Sequence, residues 1–376
     1  MTLDSIASKR VLVRFDFNVP MRNGAIVNDF RIRQSLETIN KLLENNNKII
    51  ILSHLGRPTE GVYDETLSLK PICKYLSKFL NANIKFFSSY KAKIKFEDYN
   101  IAMLENVRFN TGEKSCDSNL SKSYALLADY FVFDAFGVSH RRECSTYGVS
   151  DYLETYAGHN ISNEITTINK LINENSKPMT IVISGAKVST KLVVIKKLLD
   201  KCDFMILGGG ILNTFLKAKG KEIGKSLYEK DLVNEAKSIL NSDLASKIVL
   251  PIDLKCESNL EPKNIDEDDI SSSDVIFDIG EKSLEHVKSI INKSSSVFWN
   301  GPLGYIEKKP YDKGTIELAK TIAQHNCFSI IGGGDTLPII ENLNLQNQYS
   351  CLSTGGGSLL TYLEEGSLPI LNKLNL

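Results

Sequence analysis

Two short motifs carry residues of the types that bind anions. SHLGRP at residues 53–58 places His54 and Arg57 directly after an apolar run. GGGDT at residues 332–336 places backbone amides and Asp335 after another apolar run. The planar fork of Arg matches carboxylate and phosphate oxygens, whereas Mg²⁺ on phosphates is commonly held by a carboxylate. The two motifs predict an anionic small molecule at one site and a nucleotide with its metal at another, as in a kinase with two lobes.

Further polar side chains follow the other apolar runs of the first half. They are Asp16 and Asn18 after residues 11–15, Arg108 after residues 101–104, Arg141 after residues 130–133, and Arg31 at the start of the first predicted helix. Open sheets of parallel strands bind ligands outside the carboxyl ends of those strands. A single Arg is most often a helix cap or the partner of a surface acid. Several of them on one sheet edge of a neutral protein predict an anion site.

The second half contains a lysine motif that suits phosphate. GAKVSTK at residues 185–191 follows an apolar run and opens a predicted helix. Free backbone amides at such a position hold phosphate groups, and Lys187 and Lys191 add positive charge. This stretch therefore predicts phosphate binding in the second half.

Glycine triplets also follow apolar runs of the second half, at residues 208–210, 332–334 and 355–357. Glycine lets the backbone approach a ligand closely, at an entropic cost that a structural turn alone does not require three times. Asp335 is then placed to face phosphates and their metal, and Glu307 to bond a ribose hydroxyl. A nucleotide site is the interpretation that uses all of these groups.

The elements that must position these residues are short, continuously apolar runs that alternate with segments of helical periodicity. Continuous hydrophobicity is typical of strands buried on both faces, and strand–helix alternation indicates parallel βαβ units. We therefore predict an α/β fold with two doubly wound, Rossmann-like domains. The predicted strands are residues 11–15, 49–52, 84–87, 101–104, 130–133, 180–183, 204–207, 248–252, 275–277, 297–299, 328–331 and 351–352.

The domain boundary is expected where helical periodicity joins the two halves. Apolar residues form one stripe across residues 164–175, and Pro178 follows shortly after. We expect a first domain over residues 1–160, a hinge helix over residues 161–176 and a second domain over residues 177–357.

Length and composition exclude several classes of protein. With 376 residues the chain exceeds the roughly 250–300 residues at which single cores stop growing. Its 45 basic and 45 acidic side chains argue against nucleic acid or an acidic membrane as main partner. Seven scattered cysteines without a CxxC pair argue against a disulfide framework or a zinc site. With no signal peptide and no apolar run near the ~20 residues of a membrane span, we expect a cytoplasmic protein.

The ordered motifs together resemble the phosphoglycerate kinase family, from Lys9 to the C-terminus. Their number and order make coincidence an implausible explanation. The motifs are RFDFNVP (14–20), SHLGRP (53–58), ENVRF (105–109), DAFG (134–137), HR (140–141), GAKVSTK (185–191), EIGKSL (222–227), WNGPLG (299–304), GGGDT (332–336) and STGGG (353–357).

This resemblance implies reversible phosphoryl transfer between ATP and 3-phosphoglycerate, giving ADP and 1,3-bisphosphoglycerate, with Mg²⁺ as cofactor. It also implies a monomer whose cleft closes by hinge bending, and a C-terminal stretch, residues 358–376, that packs on the N-terminal domain. The implied 3-phosphoglycerate-binding residues are Asp16, Phe17, Asn18, Arg31, His54, Leu55, Gly56, Arg57, Arg108 and Arg141. The implied nucleotide-binding residues are Lys187, Lys191, Gly209, Glu307, Gly333, Gly334, Asp335 and Thr336, with Asp335 nearest the metal.

The chemistry of this reaction places few demands on acid–base groups. A carboxylate acceptor is already ionised at pH 7, so catalysis rests on positioning and on charge stabilisation of the phosphoryl group. Arg31, Lys187, Lys191 and the backbone amide of Gly356 are the expected catalytic groups. Since they come from both halves, direct in-line transfer is expected on a domain closure that excludes water.

Three departures from the family pattern keep alternatives open. Glu143 stands where the family usually has His or Gln, beside the arginines of the acceptor site. Leu212 replaces a customary Ala, and Tyr305 replaces a customary Val, near the expected adenine pocket. The alternatives are a related kinase with altered nucleotide or acceptor preference, and a non-catalytic binding protein derived from the fold.

Overall fold

The computed structural model describes residues 3–173 and 176–374. Its Cα positions group into two compact units. Unit 1 extends to Ile165 and also includes the chain from Gly357 onward, whereas unit 2 is Thr166–Gly356. Within the described ranges, no helix is long and apolar enough to cross a membrane.

The described part of unit 1 contains one large sheet, a small hairpin and several α-helices. Its strands are β1 (Arg10–Phe15), β2 (Met21–Arg22), β3 (Ala25–Ile26), β4 (Lys48–Leu52), β5 (Ile84–Phe87), β6 (Ile101–Leu104), β7 (Tyr130–Asp134) and β8 (Thr155–Ala157). Its helices are α1 (Phe30–Gln34), α2 (Leu36–Glu44), α3 (Lys70–Leu80), α4 (Ser118–Ala125), α5 (His159–Asn173), which continues into unit 2, and α12 (Gly357–Glu365).

The large sheet of unit 1 is parallel and has the order β5-β6-β4-β1-β7-β8. Its central strands are buried on both faces, which explains their continuous apolar runs. After β1 the chain builds the sheet toward β5, and β7 later pairs on the other side of β1. This reversal of direction leaves a crevice at the carboxyl ends of the central strands.

The C-terminal stretch belongs to unit 1. Helix α12 contacts the short 3₁₀ helix Phe136–Val138, and the hydroxyl of Ser358 hydrogen bonds with Nδ1 of His140. Farther along, the Lys373 ammonium lies 3.1 Å from a carboxylate oxygen of Asp151. The last described residues are therefore attached to the same body as the N-terminal strands.

Unit 2 contains a second parallel sheet and a three-stranded antiparallel sheet. Its strands are β9 (Met179–Ser184), β10 (Phe204–Gly208), β11 (Ile248–Val249), β12 (Asp253–Ser258), β13 (Glu261–Asp266), β14 (Val275–Ile279), β15 (Ser296–Asn300), β16 (Phe328–Gly332) and β17 (Cys351–Ser353). Its helices are α6 (Leu192–Leu199), α7 (Gly209–Ala218), α8 (Val233–Leu240), α9 (Glu281–Ile291), α10 (Lys313–His325) and α11 (Leu337–Asn342). The parallel sheet has the order β11-β10-β9-β15-β16-β17, with its reversal between β9 and β15.

The two doubly wound parallel sheets confirm the predicted fold class. Two predicted strands of unit 2 are present but differ from the prediction in length or in pairing. The run 248–252 is a strand only at Ile248–Val249, and Pro251, which has no N–H to donate to a ladder, follows it. The run 275–277 belongs to β14, which pairs with β12 antiparallel and not with the large sheet.

The antiparallel partners β12 and β13 were missed because their sequences are polar. The strand Glu261–Asp266 is largely exposed, so it lacks the apolar run on which the prediction depends. The predicted helix over residues 164–175 corresponds to α5, which ends at Asn173. Glu174 and Asn175 lie outside the described residues.

Candidate functional site

The structure brings the anion-binding candidates of the first half to one edge of unit 1. Strands β6, β4, β1 and β7 are successive neighbours in the parallel sheet, so their carboxyl ends meet at one edge. The segments that leave these ends carry the candidates, which are Asp16, Phe17 and Asn18 after β1, His54, Leu55, Gly56 and Arg57 after β4, Arg108 after β6 and Arg141 after β7.

Asp16 anchors Arg31 at this edge. The Arg31 guanidinium forms an ion pair with Asp16 Oδ2, and the backbone N–H of Asn18 donates to Asp16 Oδ1 at 3.2 Å. Burial acts to raise the pKa of Asp16, but the positive charge of Arg31 and the neighbouring His54 and Arg14 outweigh it and lower the pKa to about 2. Asp16 is therefore a carboxylate at neutral pH that holds Arg31 in place.

The loop after β4 is tied to the other strand ends through backbone groups. The N–H of Gly56 donates to Asn18 Oδ1 at 2.8 Å, and its carbonyl accepts from Arg108 Nη1 at 2.6 Å. Gly56 has φ of 62°, a left-handed conformation that favours glycine. Leu55 is buried, whereas Arg57 is exposed and makes no hydrogen bond or ion pair with any described residue. The loop thus presents Arg57 to solvent from a fixed backbone.

Sequence reasoning missed the residue that lies beneath this site, Arg14. Its side chain is fully buried and donates through Nε to Ser145 Oγ at 3.0 Å and through Nη1 to the Phe15 carbonyl. Its Nη2 lies 3.1 Å from His54 Nδ1. A charged residue inside an otherwise apolar strand was the available signal, because such a residue is almost never buried without partners.

His54 is neutral in this environment. Burial lowers the pKa of its imidazole well below 6.5; nearby Asp16 acts to raise it, and the charges of Arg14, Arg108 and Arg141 lower it further. Since Nδ1 faces the Arg14 guanidinium, the neutral ring accepts a hydrogen bond there. The positive charge of the site therefore comes from its arginines.

Arg108 and Arg141 share one acidic neighbour, Glu143. Glu143 Oε1 lies 3.3 Å from Arg141 Nη1 and 3.7 Å from Arg108 Nη2. Arg108 is buried, and its Nε and Nη2 have no hydrogen-bond partner among the described residues. Buried donors are rarely left unpaired, so these two nitrogens are available to a hydrogen-bond acceptor from outside the described residues.

In unit 2 the candidate residues follow β9, β10, β15, β16 and β17, which are neighbours in the second parallel sheet. Lys191 donates to the Ser184 carbonyl and, at 2.6 Å, to Asn300 Oδ1. Burial lowers the pKa of Lys191 to about 8, with the negative charge of Asp335 acting against that shift. Asn300, at the end of β15, was not predicted as a site residue, although it repeats the signal of a polar side chain that ends an apolar strand.

Two buried polar atoms converge on Gly333. A Cβ atom built on this glycine would lie 3.1 Å from Thr336 Oγ1 and 3.8 Å from Asn300 Nδ2. Both atoms are buried and have no hydrogen-bond partner in the described parts of the chain. Gly333 has φ of 118°, so the open space depends on glycine. The turn is a cradle whose polar atoms lack their partner.

The remaining candidates of unit 2 differ in their exposure to solvent. The exposed ones are Lys187, Gly334, Asp335 and Glu307. Gly209 and Gly356 adopt positive φ values of 62° and 49°, and the Gly209 N–H donates to the Leu303 carbonyl at 3.0 Å. Of the two departures in this unit, Leu212 is buried, whereas Tyr305 stacks on Phe277 with ring centroids 5.4 Å apart.

The neutral state of His54 gives a direct prediction for the free protein. Since its folded-state pKa is depressed, the unfolded chain binds the proton more readily below about pH 6.5, and His54 contributes stability above that pH that is lost on acidification. We expect its Hε1 chemical shift, assigned with His54→Gln and followed by NMR, to stay constant from pH 8 to about pH 5.5. An inflection near pH 6.5 would contradict the proposed charge distribution.

The chain is similar to proteins of one family in both sequence and structure. The family model described as "Phosphoglycerate kinase" matches residues 2–366. A phosphoglycerate kinase of Francisella tularensis subsp. novicida is 41% identical, covering 98% of this chain and 96% of the relative. A phosphoglycerate kinase of Buchnera aphidicola is 44% identical, covering 100% of this chain and 96% of the relative.

The solved structures that resemble this chain belong to proteins with the same name as these relatives. A phosphoglycerate kinase from Coxiella burnetii has a TM-score of 0.89 and 38% identity, covering 100% of this chain and 98% of its own. The corresponding enzyme from Pyrococcus horikoshii OT3 has a TM-score of 0.87 and 29% identity, covering 98% and 96%. With full-length agreement in sequence, fold and motif order, the chain belongs to the phosphoglycerate kinase family.

Proposed function

We propose that this kinase binds 3-phosphoglycerate at the strand ends of unit 1 and its nucleotide at the strand ends of unit 2. The activity follows from family membership. The enzyme is a glycolytic phosphotransferase with a carboxyl group as acceptor and ATP or ADP as co-substrate. In this proposal unit 1 is the acceptor domain, unit 2 is the nucleotide domain, and α5 is the segment that joins them.

The observation that carries the acceptor site is the unsatisfied guanidinium of Arg108. Two of its buried nitrogens, Nε and Nη2, have no hydrogen-bond acceptor among the described residues, and an anionic oxygen is the acceptor that suits a guanidinium best. The same sheet edge carries Arg31, Arg57 and Arg141, and arginine matches both the carboxylate and the phosphate of a phosphorylated acid. A metabolite with two separated anionic groups fits such an edge better than a single small anion does.

The nucleotide site is supported by the cradle at Gly333. Thr336 Oγ1 and Asn300 Nδ2 have no hydrogen-bond partner among the described residues, and phosphate oxygens supply the acceptors that a hydroxyl and an amide nitrogen require. The ammonium of Lys191 is held by Asn300 at the same end of the sheet. Phosphates at this cradle would be held by neutral donors and lysine charge together.

The residues present also fit a Mg²⁺ ion carried on the nucleotide. Mg²⁺ in kinases uses one or two carboxylates together with substrate phosphates and water, and Asp335 offers an exposed carboxylate at the cradle. Bound there, the ion would neutralise charge on the phosphates. Asp335 would be its protein ligand in this proposal.

For the transfer itself, the chain has to orient two anions and stabilise the charge on the moving phosphoryl group. The acceptor carboxylate is ionised at pH 7, and neutral His54 is occupied by Arg14, so no general base enters the proposal. Arg31, Lys187, Lys191 and the Gly356 amide are the proposed stabilising groups. Direct in-line transfer on domain closure would bring together groups contributed by the two units.

Two further expectations remain part of this proposal. The chain acts as a monomer, to be tested by its mass in solution. It acts in the cytoplasm, in keeping with seven cysteines that are all free thiols.

A coupled assay tests the acceptor site. With 3-phosphoglycerate, Mg-ATP and glyceraldehyde-phosphate dehydrogenase, NADH oxidation should depend on both substrates. Arg141→Gln should raise the KM for 3-phosphoglycerate by at least about tenfold, because one charge-assisted hydrogen bond is lost, and should leave the KM for Mg-ATP within about twofold. Arg142→Gln is the matched control, since this exposed neighbour lies over the Tyr147 ring. Equal KM values in both variants would contradict the assignment.

The depressed pKa of Lys191 predicts how nucleotide affinity depends on pH. Only the charged ammonium attracts phosphate, so above about pH 8 the free protein must take up a proton to bind ADP. We expect the affinity for Mg-ADP, measured by calorimetry, to fall by up to about tenfold per pH unit between pH 8 and 9.5. Lys191→Met should bind about tenfold more weakly at pH 7 and show no such fall. A wild-type affinity that is flat to pH 9.5 would rule out this role.

A further inference from the structure

The acceptor site contains a carboxylate that its proposed function does not require. Glu143 is buried, with 5% of its surface exposed. Its Oε1 faces both Arg141 Nη1, at 3.3 Å, and Arg108 Nη2, at 3.7 Å. Two guanidiniums proposed to hold a substrate anion thus already have an anionic neighbour from the protein.

The turn that carries Glu143 is fixed on several sides. The Glu143 N–H donates to Thr146 Oγ1 at 3.1 Å, and its carbonyl accepts from the N–H of Tyr147 at 2.9 Å. Cys144 and Ser145 are bonded through their backbone N–H groups to Glu113. The backbone that carries the Glu143 carboxylate beside the two arginines is therefore anchored on both sides.

The hydrogen bonds of this group are incomplete. Glu143 Oε2, like Arg108 Nε and Nη2, is buried without a partner among the residues described. The contact at 3.7 Å is an ion pair and too long for a hydrogen bond. Glu143 therefore supplies negative charge to Arg108 but accepts no hydrogen bond from it, so Nε and Nη2 of Arg108 remain available as donors.

The effect of Glu143 on the affinity for such a ligand depends on two opposing contributions, repulsion of the ligand and positioning of the arginines. A phosphorylated acid carries about three negative charges near pH 7, and a fixed carboxylate beside its binding arginines repels it in an environment partly shielded from water. The gain from holding the arginines in position is smaller, because each has a second partner. Arg108 donates to the Gly56 carbonyl, and Arg141 donates through Nε to His140 Nε2 at 3.3 Å. Net weakening of anion binding is the expected result.

We propose that Glu143 is a specificity-determining residue of the acceptor site, which lowers the affinity for highly charged acids by opposing their charge at Arg108 and Arg141. This inference rests on the proposed function, since it requires that these two arginines bind the acceptor. It gives the buried carboxylate of Glu143 a role in setting the affinity of the acceptor site.

The test compares Glu143→Gln with Glu97→Gln by calorimetry with 3-phosphoglycerate. Glu97 is a matched control for the same change of charge in unit 1, because its side chain is 77% exposed and its only described ion pair is 4.0 Å long. Glu143→Gln should tighten the Kd for 3-phosphoglycerate by about 5- to 10-fold at 20 mM salt, and the gain should shrink at about 300 mM. The Kd for Mg-ADP should not change, whereas loss of a structural role would disturb both.

The outcomes separate this inference from the site assignment. If Arg141→Gln weakens 3-phosphoglycerate binding but Glu143→Gln leaves it unchanged or weakens it, the role of Glu143 is wrong and the site stands. If Arg141→Gln leaves binding unchanged, the site assignment itself is wrong. Should Glu143→Gln fail to give a wild-type melting curve, Glu143→His, which also removes the carboxylate, is subject to the same criteria.

Discussion

The burial of one guanidinium, that of Arg14, constrains the proposed acceptor site. A buried positive charge is costly unless its donors are used and its charge is balanced. Here the donors are taken by the Phe15 carbonyl, Ser145 and the imidazole of His54. Satisfying Arg14 therefore fixes the segment that follows β1, the loop that follows β4 and the turn around Ser145.

A buried acid, Glu113, bonds to the same serine as Arg14. Its Oε1 accepts from Ser145 Oγ at 2.5 Å and from the Ser145 N–H at 3.1 Å. Burial raises the pKa of Glu113 to about 7, although Ser145 and the charge of Arg14 act to lower it. The arginines that reach the surface are thus mounted on a buried polar network, which favours a fixed geometry for the incoming anion.

In unit 2 a partly buried lysine is likewise held by polar groups at the strand ends. The Lys191 ammonium is held by the Ser184 carbonyl and by the side chain of Asn300, both at the carboxyl ends of neighbouring strands. In each unit a partly or fully buried cation links strand ends on either side of the reversal in strand order. The proposed ligand sites lie where this architecture leaves polar atoms without partners.

Much of this was predictable from the sequence, for identifiable reasons. Apolar runs gave the parallel strands, and polar residues at their ends gave the candidates around Asp16 and His54. Polar pairing strands such as β13 were not predictable, because their stability comes from a partner strand and not from an apolar pattern. Arg14 and Asn300 did carry a signal, a polar side chain within or at the end of an apolar strand, but their partners are distant in sequence. The distance of Glu143 from Arg108 likewise depends on folding, and spacing along one chain does not encode it.

The central claim is that each unit carries one ligand site at its own strand ends. Chemical-shift mapping of the isotope-labelled protein with 3-phosphoglycerate alone, and separately with Mg-ADP alone, tests it most directly. We expect 3-phosphoglycerate to shift the amide resonances of residues 16–18, 54–57 and 141–146. We expect Mg-ADP to shift the amide resonances of residues 185–191 and 332–336. Shifts from 3-phosphoglycerate confined to the second set of residues would contradict it.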